Sequence, residues 1–350
     1  MKTRKPFQKK MEVTLKDFYG AFQINEPILI ELIKSKPIQR LKHISHQGMI
    51  KTKNTKIKYS RYEHSIGVML LLRKLGASVE EQTAGLLHDV SHTAFSHTTD
   101  MLFGNYEKQN LQDSLHKKTI KNKTITTILK KHGYKPSRIS QLKLFPLLEK
   151  EAPNLCADRL DYSLRDMHHL HINIKPFIKH LTVHNNEIIF TSQKQAERYA
   201  KNYARLQNNL YASKKELVKV KILTTALQQA LQQKIISKKD IINGVDSQII
   251  NKIKKSKFEN TKQLLKNLQN ENYKISQGDT LLKAKFRYVN PKFIKKNSIQ
   301  KLANAKPSYK KLIQKNQAKN AKGYKIKITF KTPPATPTQK TPKKQVKNFL

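Results

Sequence analysis

Two adjacent residues, His88 and Asp89, constrain this chain more than any other feature. They follow Ala84, Leu86 and Leu87, whose spacing predicts a helix. With 3.6 residues per turn, neighbours on a helix diverge by about 100°. Both side chains can reach one ion only if it lies between their directions, with further ligands arriving from other helices. The core of a helical bundle is a natural home for such a site. Suitable ligands stand upstream and downstream: His64 in RYEHSIGV and Asp158 in CADRLDYSLRD. Two imidazoles with two carboxylates suit a hard or borderline divalent ion (Mn, Fe, Mg, Zn or Ni) rather than a thiophilic one. His92, four residues after His88, would face the same cleft from the next turn. An imidazole near a metal but not on it is a candidate proton donor, because its ordinary pKa lies near working pH. His97 and His116 are further candidates. A lone histidine would read as an ordinary core or surface residue; the ordered set is what points to chemistry.

Composition sets the outer limits. The 350 residues carry 70 Lys+Arg against 24 Asp+Glu, a net charge of +46. Such a surplus suggests polyanion binding. Arginine, the residue favoured for bidentate phosphate and base contacts, accounts for only 10 of the 70, so compositional drift is the favoured explanation, with polyanion binding kept open. The longest apolar run, Ile66–Leu72, is seven residues, far short of a membrane span. The leader MKTRKPFQKK has no apolar region behind it, and Cys156 is the single cysteine. The expectation is a cytoplasmic protein without disulfides or membrane contact.

Patterning divides the chain into a basic leader (1–10), a metal-bearing core (11–180), a helical extension completing the substrate side (181–300) and a Lys-rich segment (301–350). The fold class expected is mainly α, a helical bundle with a few short strands or hairpins in the C-terminal half. Apolar spacing suggests a helix over 26–38, with Pro37 opening the next. LTVHNNEIIF reads as a hairpin turning at His184-Asn185-Asn186. Residues 193–235 read as helical, and 286–289 and 324–330 as short strands. The last fifty residues hold 14 Lys and no acid, and the Pro/Thr/Lys-rich end from about 331 reads as disordered.

The segments Arg61-Tyr62-Glu63-His64, Leu86 through His97 and Asp158 through Asp166 together resemble the HD-domain metal-dependent phosphohydrolases. More narrowly they resemble the branch of deoxynucleoside triphosphate triphosphohydrolases and sterile-alpha-motif/HD proteins. IQRLKHISHQG (38–48) matches the helix that branch places before its first metal histidine. The resemblance implies that His64, His88, Asp89 and Asp158 bind a divalent metal. It implies catalytic roles for His92, for His116 (where Lys117 replaces the usual Glu) and for Arg61 as a substrate-contacting arginine. His97 and Arg159 match phosphate contacts, and Tyr162 and Asp166 match residues that hold the sugar. The implied activity is dGTPase-like: a deoxynucleoside triphosphate cleaved to nucleoside and triphosphate, in a homo-oligomer.

One departure stands out. The branch grips the terminal phosphates with basic residues of a later helix, whereas YARLQNNLYASKK (203–215) offers Gln207 and Asn208, leaving Arg205 or Lys214 to substitute. Two alternatives therefore stay open: an HD-domain phosphodiesterase or nucleotide phosphatase, and a polyanion-binding protein with a vestigial site, holding nucleic acid weakly through its Lys-rich tail. His168, His169 and His171 look like another metal cluster, but are expected to serve helix packing.

Overall fold

The computed structural model describes residues 12–104, 106–107, 109–296 and 298–331. The basic leader and the Pro/Thr/Lys-rich end expected to be disordered therefore lie outside the described residues. The chain opens with a hairpin of β1 (Val13–Asp17) and β2 (Gly20–Ile24). Helices α1 (Pro27–Lys34), α2 (Lys36–Arg40), α3 (Arg61–Lys74) and α4 (Val79–Leu87) follow. Shorter ones come next: α5 (Thr98–Leu102), α6 (Leu111–Ile120), α7 (Lys123–Lys131) and α8 (Pro136–Ile139). Then come α9 (Ala157–His169), α10 (Lys175–Lys179) and a hairpin of β3 (Leu181–His184) and β4 (Glu187–Phe190). The second half holds α11 (Gln193–Leu206), α12 (Lys214–Gln232), α13 (Lys238–Asn243), α14 (Asp246–Lys255) and α15 (Glu259–Gln269). It ends with β5 (Tyr273–Leu282), β6 (Lys292–Lys295), β7 (Ser298–Lys301), α16 (Leu302–Ala305), α17 (Pro307–Lys322) and β8 (Tyr324–Phe330). The protein is mainly α, as expected, with three small sheets: β1-β2, β3-β4-β6-β7 and β5-β8.

Helix α3 is the axis of the first core. Its start is fixed by a capping box: the Ser60 hydroxyl accepts the Glu63 N–H, and the Glu63 carboxylate accepts the Ser60 N–H. From His64 to Leu72 every side chain is buried, the pattern of a helix enclosed on all sides. The same core takes in α1, α4, α9 and α11. A second core joins α12, α14, α15, β5 and β8, and it also takes Ile50, Ala94 and Phe95 from the first half. The segment after α4 is thereby held between the two cores. Among the described residues, no helix is long and apolar enough to cross a membrane.

Several local expectations change. The helix expected over 26–38 breaks at Ser35, whose hydroxyl bonds the Leu32 carbonyl while Pro37 starts α2. The 193–235 helix is interrupted by a wide turn at Gln207–Tyr211. His88 and Asp89 do not lie within a helix: α4 stops at Leu87 and a run of turns carries residues 88–97. Residues 286–289 form no ladder, and carbonyls at the two ends of this segment accept from side chains instead. Lys285 O accepts the Gln207 amide and Val289 O accepts the Tyr309 hydroxyl. The hairpin at His184-Asn185-Asn186 is present, with both asparagines at positive φ as its tight turn requires. The Lys-rich stretch is folded through 302–330, where β8 pairs with β5.

Candidate metal centre and its cavity

His64, on buried α3, points its Nδ1 at Asp161 Oδ2, 2.7 Å away. A carboxylate only accepts, so the ring proton sits on Nδ1 and Nε2 presents a lone pair. His88 is fixed in the same way: its Nδ1 donates to Gly85 O at 2.7 Å. The two free Nε2 atoms face each other at 3.2 Å. Asp158, in the first turn of α9, places Oδ1 3.0 Å from His64 Nε2 and 3.5 Å from His88 Nε2. Asp89 closes the set, with Oδ2 3.6 Å from His64 Nε2 and Oδ1 3.5 Å from His88 Nε2.

These separations decide whether an ion fits. Ligands held about 2.1 Å from one ion lie about 3.0–3.4 Å apart in octahedral or tetrahedral arrangements. The His64, His88 and Asp158 donor atoms, 3.0–3.5 Å apart with both ring protons committed outward, match that cage, and Asp89 approaches each histidine through a different oxygen. Its electrostatics favour positive charge. Burial opposes the charged form of His88, yet Asp89 and Asp158 outweigh it and raise the pKa to about 9. Burial likewise opposes the Asp89 carboxylate, but Arg61, His88 and His92 hold its pKa well below the usual carboxylate range. His46, with His64 and Asp89, forms an overlapping group that the sequence did not suggest.

The centre opens into a cavity of about 1670 Å³. His92, His97, His116, Arg61, Arg159 and Tyr162 all line it. His92 Nε2 lies 3.3 Å from Asp89 Oδ1, so it faces the cleft from a turn rather than from a helix. Burial, with the nearby Arg61 charge, pushes its pKa down to about 3. Burial and His88 push His116 to about 4. His116 Nε2 is buried and has no partner among the described residues. His97 is tied to Asp100 through Nδ1 at 3.0 Å. Each guanidinium nitrogen of Arg61 makes one hydrogen bond, to Asp89 Oδ2 (2.7 Å), Ser96 Oγ (3.0 Å) and His46 O (3.2 Å). Arg159 is anchored on the Lys150 and Asn154 carbonyls, and Tyr162 shares a hydrogen bond with Tyr203.

Asp166 sits behind the cavity wall. Its buried carboxylate accepts from Gln47 Nε2 (2.9 Å), Tyr59 OH (3.0 Å) and Tyr211 OH (2.7 Å), and Gln47 and Tyr211 are the ones that reach the cavity. His168 packs on Phe18 and His169 stacks on Tyr59. Sequence reasoning missed Lys285 and Arg287, which line the cavity from the far end of the chain. Arg287 donates to Gln109 and lies 5.6 Å over the Tyr211 ring. No local signal marks them, since their neighbours in space are 75–180 residues away in sequence. Of the two substitutes expected in 203–215, Arg205 lines the cavity and Lys214 is not among its lining residues.

Residues 61–162 match the family described as HD domain. The chain is 37% identical over 318 residues to the uncharacterized protein YdhJ of Bacillus subtilis, covering 89% of this chain and 97% of that protein. It is 38% identical over 150 residues to a metal-dependent phosphohydrolase of Cordyceps militaris, 43% of each chain. A more distant match, 32% over 108 residues, is to a deoxynucleoside triphosphate triphosphohydrolase of Danio rerio, covering 27% of this chain and 17% of that one. Among solved structures, a phosphohydrolase from Bacteroides thetaiotaomicron superposes with a TM-score of 0.61 at 18% identity, over 85% of this chain and 95% of that one, which speaks to fold alone.

Proposed function

The chain belongs to the HD-domain metal-dependent phosphohydrolases, and on that premise we propose that it cleaves a nucleoside triphosphate, preferably a deoxynucleotide, to nucleoside and triphosphate. The observation that carries this reading is the gathering of His88, Asp89 and Asp158 around His64, beside a cavity also lined by His92, His97 and His116. The first four residues hold the metal. When bound, a divalent cation supplies Lewis-acid polarisation of a phosphoryl oxygen and acidification of water.

The remaining residues act on the substrate and on each other. A bound phosphate raises the low pKa of His116, whose open Nε2 then passes a proton to a phosphate or leaving-group oxygen; His92 assists from the Asp89 side. His97 and Arg159 donate to phosphate oxygens, where negative charge develops. Arg61 works through Asp89, fixing its direction and its ionised state. Tyr162 stands against the sugar, while Asp166 orders Gln47 and Tyr211 around it. Lys285 and Arg287 supply the cations for the distal phosphates that residues 203–215 do not clearly provide. The triphosphohydrolase specificity is supported by this cation-rich, tyrosine-lined cavity and by the name of the Danio rerio relative.

A nucleotide panel on the full-length protein, loaded in turn with Mn, Fe, Mg, Zn or Ni, tests the proposal. Triphosphate and nucleoside are the expected products. Orthophosphate release alone would favour a nucleotide phosphatase, and turnover of diesters alone a phosphodiesterase. No turnover with any metal, together with steeply salt-dependent nucleic-acid binding, would favour the polyanion-binding alternative.

A further inference from the structure

The loop that carries His92 and His97 is held in an uncommon backbone shape. Phe95 and Ser96 have φ of 59° and 44°, in the left-handed region that bulky residues avoid. Such conformations persist where surrounding contacts over-determine them. Here the contacts come from the C-terminal half. Asp246, at the start of α14, accepts the Phe95 N–H through Oδ1 at 2.7 Å and the Ser45 N–H through Oδ2 at 2.8 Å. The Ala94 N–H donates to the Ile241 carbonyl at the end of α13. From the other side, Arg40 joins the His92 carbonyl (2.7 Å) to those of Ile242 and Asn243 (each 3.1 Å).

The two loops joined by Asp246 are also tied to each other. Ser96 Oγ donates to Ser45 O at 2.7 Å, and Thr98 Oγ1 donates to Gly48 O at 2.6 Å. Gly48 has φ of +66°, and a Cβ there would lie 2.3 Å from Phe95 O, so the loops touch backbone to backbone. One loop leads into His46 and Gln47; the other bears His92, Ser96 and His97. A single carboxylate, 151 residues downstream of one loop and 201 of the other, fixes both.

We infer that Asp246 is a positioning residue of the active site: its carboxylate locks the 45–48 and 92–97 loops together and thereby sets His92 and His97 over the metal centre. The inference rests on the reading of those two histidines as phosphate-side groups. It makes the HD core catalytically dependent on the α13–α14 corner, although that corner contributes no residue to the centre itself. Carboxylate hydrogen bonds to backbone N–H groups are among the stronger ones, and two from one side chain fix a direction as well as a distance.

The test uses full-length D246A and D246N with wild type, all shown to be folded by their melting transitions. Hydrogen exchange is read by peptide, together with bound metal and, once a substrate is found, kcat and KM. In D246A the amides of 93–98 and 44–48 are expected to exchange at least tenfold faster, with α3 and α9 protected as in wild type. The expected kcat falls at least tenfold, KM stays within about twofold, and metal content is unchanged. D246N keeps one accepting oxygen and should lie between D246A and wild type in both readouts. Wild-type exchange in the two loops would overturn the lock, whatever the substrate proves to be. Faster exchange with unaltered kcat would overturn the positioning role. Because exchange needs no substrate, failure of the inference is separable from failure of the proposed reaction.

Discussion

Asp161 stands behind His64, its Oδ2 2.7 Å from the ring Nδ1, while the opposite ring nitrogen faces the cage of Asp158, His88 and Asp89. Asp161 is in turn held by Arg165 through two hydrogen bonds and by the Tyr19 hydroxyl at 3.0 Å. Arg165 is balanced by Asp17 at 2.9 Å. A chain of contacts therefore runs from the N-terminal hairpin to the donor atom of His64. Outer partners of this kind fix the tautomer and orientation of a metal-binding imidazole.

The first prediction concerns that support. Asp161→Asn leaves the shape but removes the carboxylate that fixes the Nδ1 proton. Metal affinity is expected to drop about 10–100-fold, the usual cost of losing such a partner. Competition against a chelator of known affinity measures it. An affinity equal to wild type would show that His64 needs no orienting acceptor.

Gly67 tests the same region from the packing side. A Cβ there would fall 2.0 Å from an Arg165 guanidinium nitrogen and 2.1 Å from Asp161 Oδ1. Gly67→Ala must push a buried ion pair off the α3 backbone, and the expected loss is about 2–3 kcal/mol, in the range of overpacked cores. Urea unfolding gives the number. Ser65→Ala on the same helix is the control: the Ser65 hydroxyl is buried without a partner among the described residues, so its removal should be close to neutral.

Asp166 gives a pH prediction. Burial outweighs the hydrogen bonds from Tyr211 and Tyr59 and pushes its folded-state pKa up to about 7, against an unfolded value of about 3.9. The folded protein therefore binds this proton more tightly than the unfolded chain. The resulting stabilisation is complete below about pH 4 and is lost as pH rises through about 7. In Asp166→Asn this contribution disappears. Unfolding free energies from pH 4 to 7 should fall more steeply for wild type than for the variant, by up to a few kcal/mol across that window. Parallel curves would place the Asp166 carboxyl at its ordinary pKa.

Lys285 and Arg287 test the distal-phosphate assignment. Glutamine at either position is expected to raise KM for a nucleoside triphosphate about tenfold, the loss of one charged contact to phosphate. KM for a monoester should barely move, because only the distal phosphates would lose a partner. Equal effects on both substrates would place these side chains at the reacting phosphate instead.

Much of the centre was legible because its signals are local. The apolar run of α3 and the adjacent His88-Asp89 pair each span only a few residues. Asp161 was legible in principle as well, one helical turn from Arg165 and three residues after Asp158. The helical geometry first assigned to His88 and Asp89 was not, because α4 ends one residue earlier and turns held by Asp246 and Arg40 take over. Tyr19, Asp17, Lys285 and Arg287 were not legible either: each acts on partners far away in the chain.

The net charge of +46 shows the same division. It is a property of the whole chain and could not say where a polyanion would bind. By itself the sequence determined the helical class, the ordered His, His-Asp and Asp donors, and the local stops and starts that present them. These depend on hydrophobic period, capping and residue chemistry over one or two turns. Only the tertiary structure decided which carboxylates orient the histidines, which cations reach the cavity and what holds the left-handed turn at Phe95 and Ser96. Those depend on distances between segments up to about 200 residues apart, set by the packing of two cores against the loops between them.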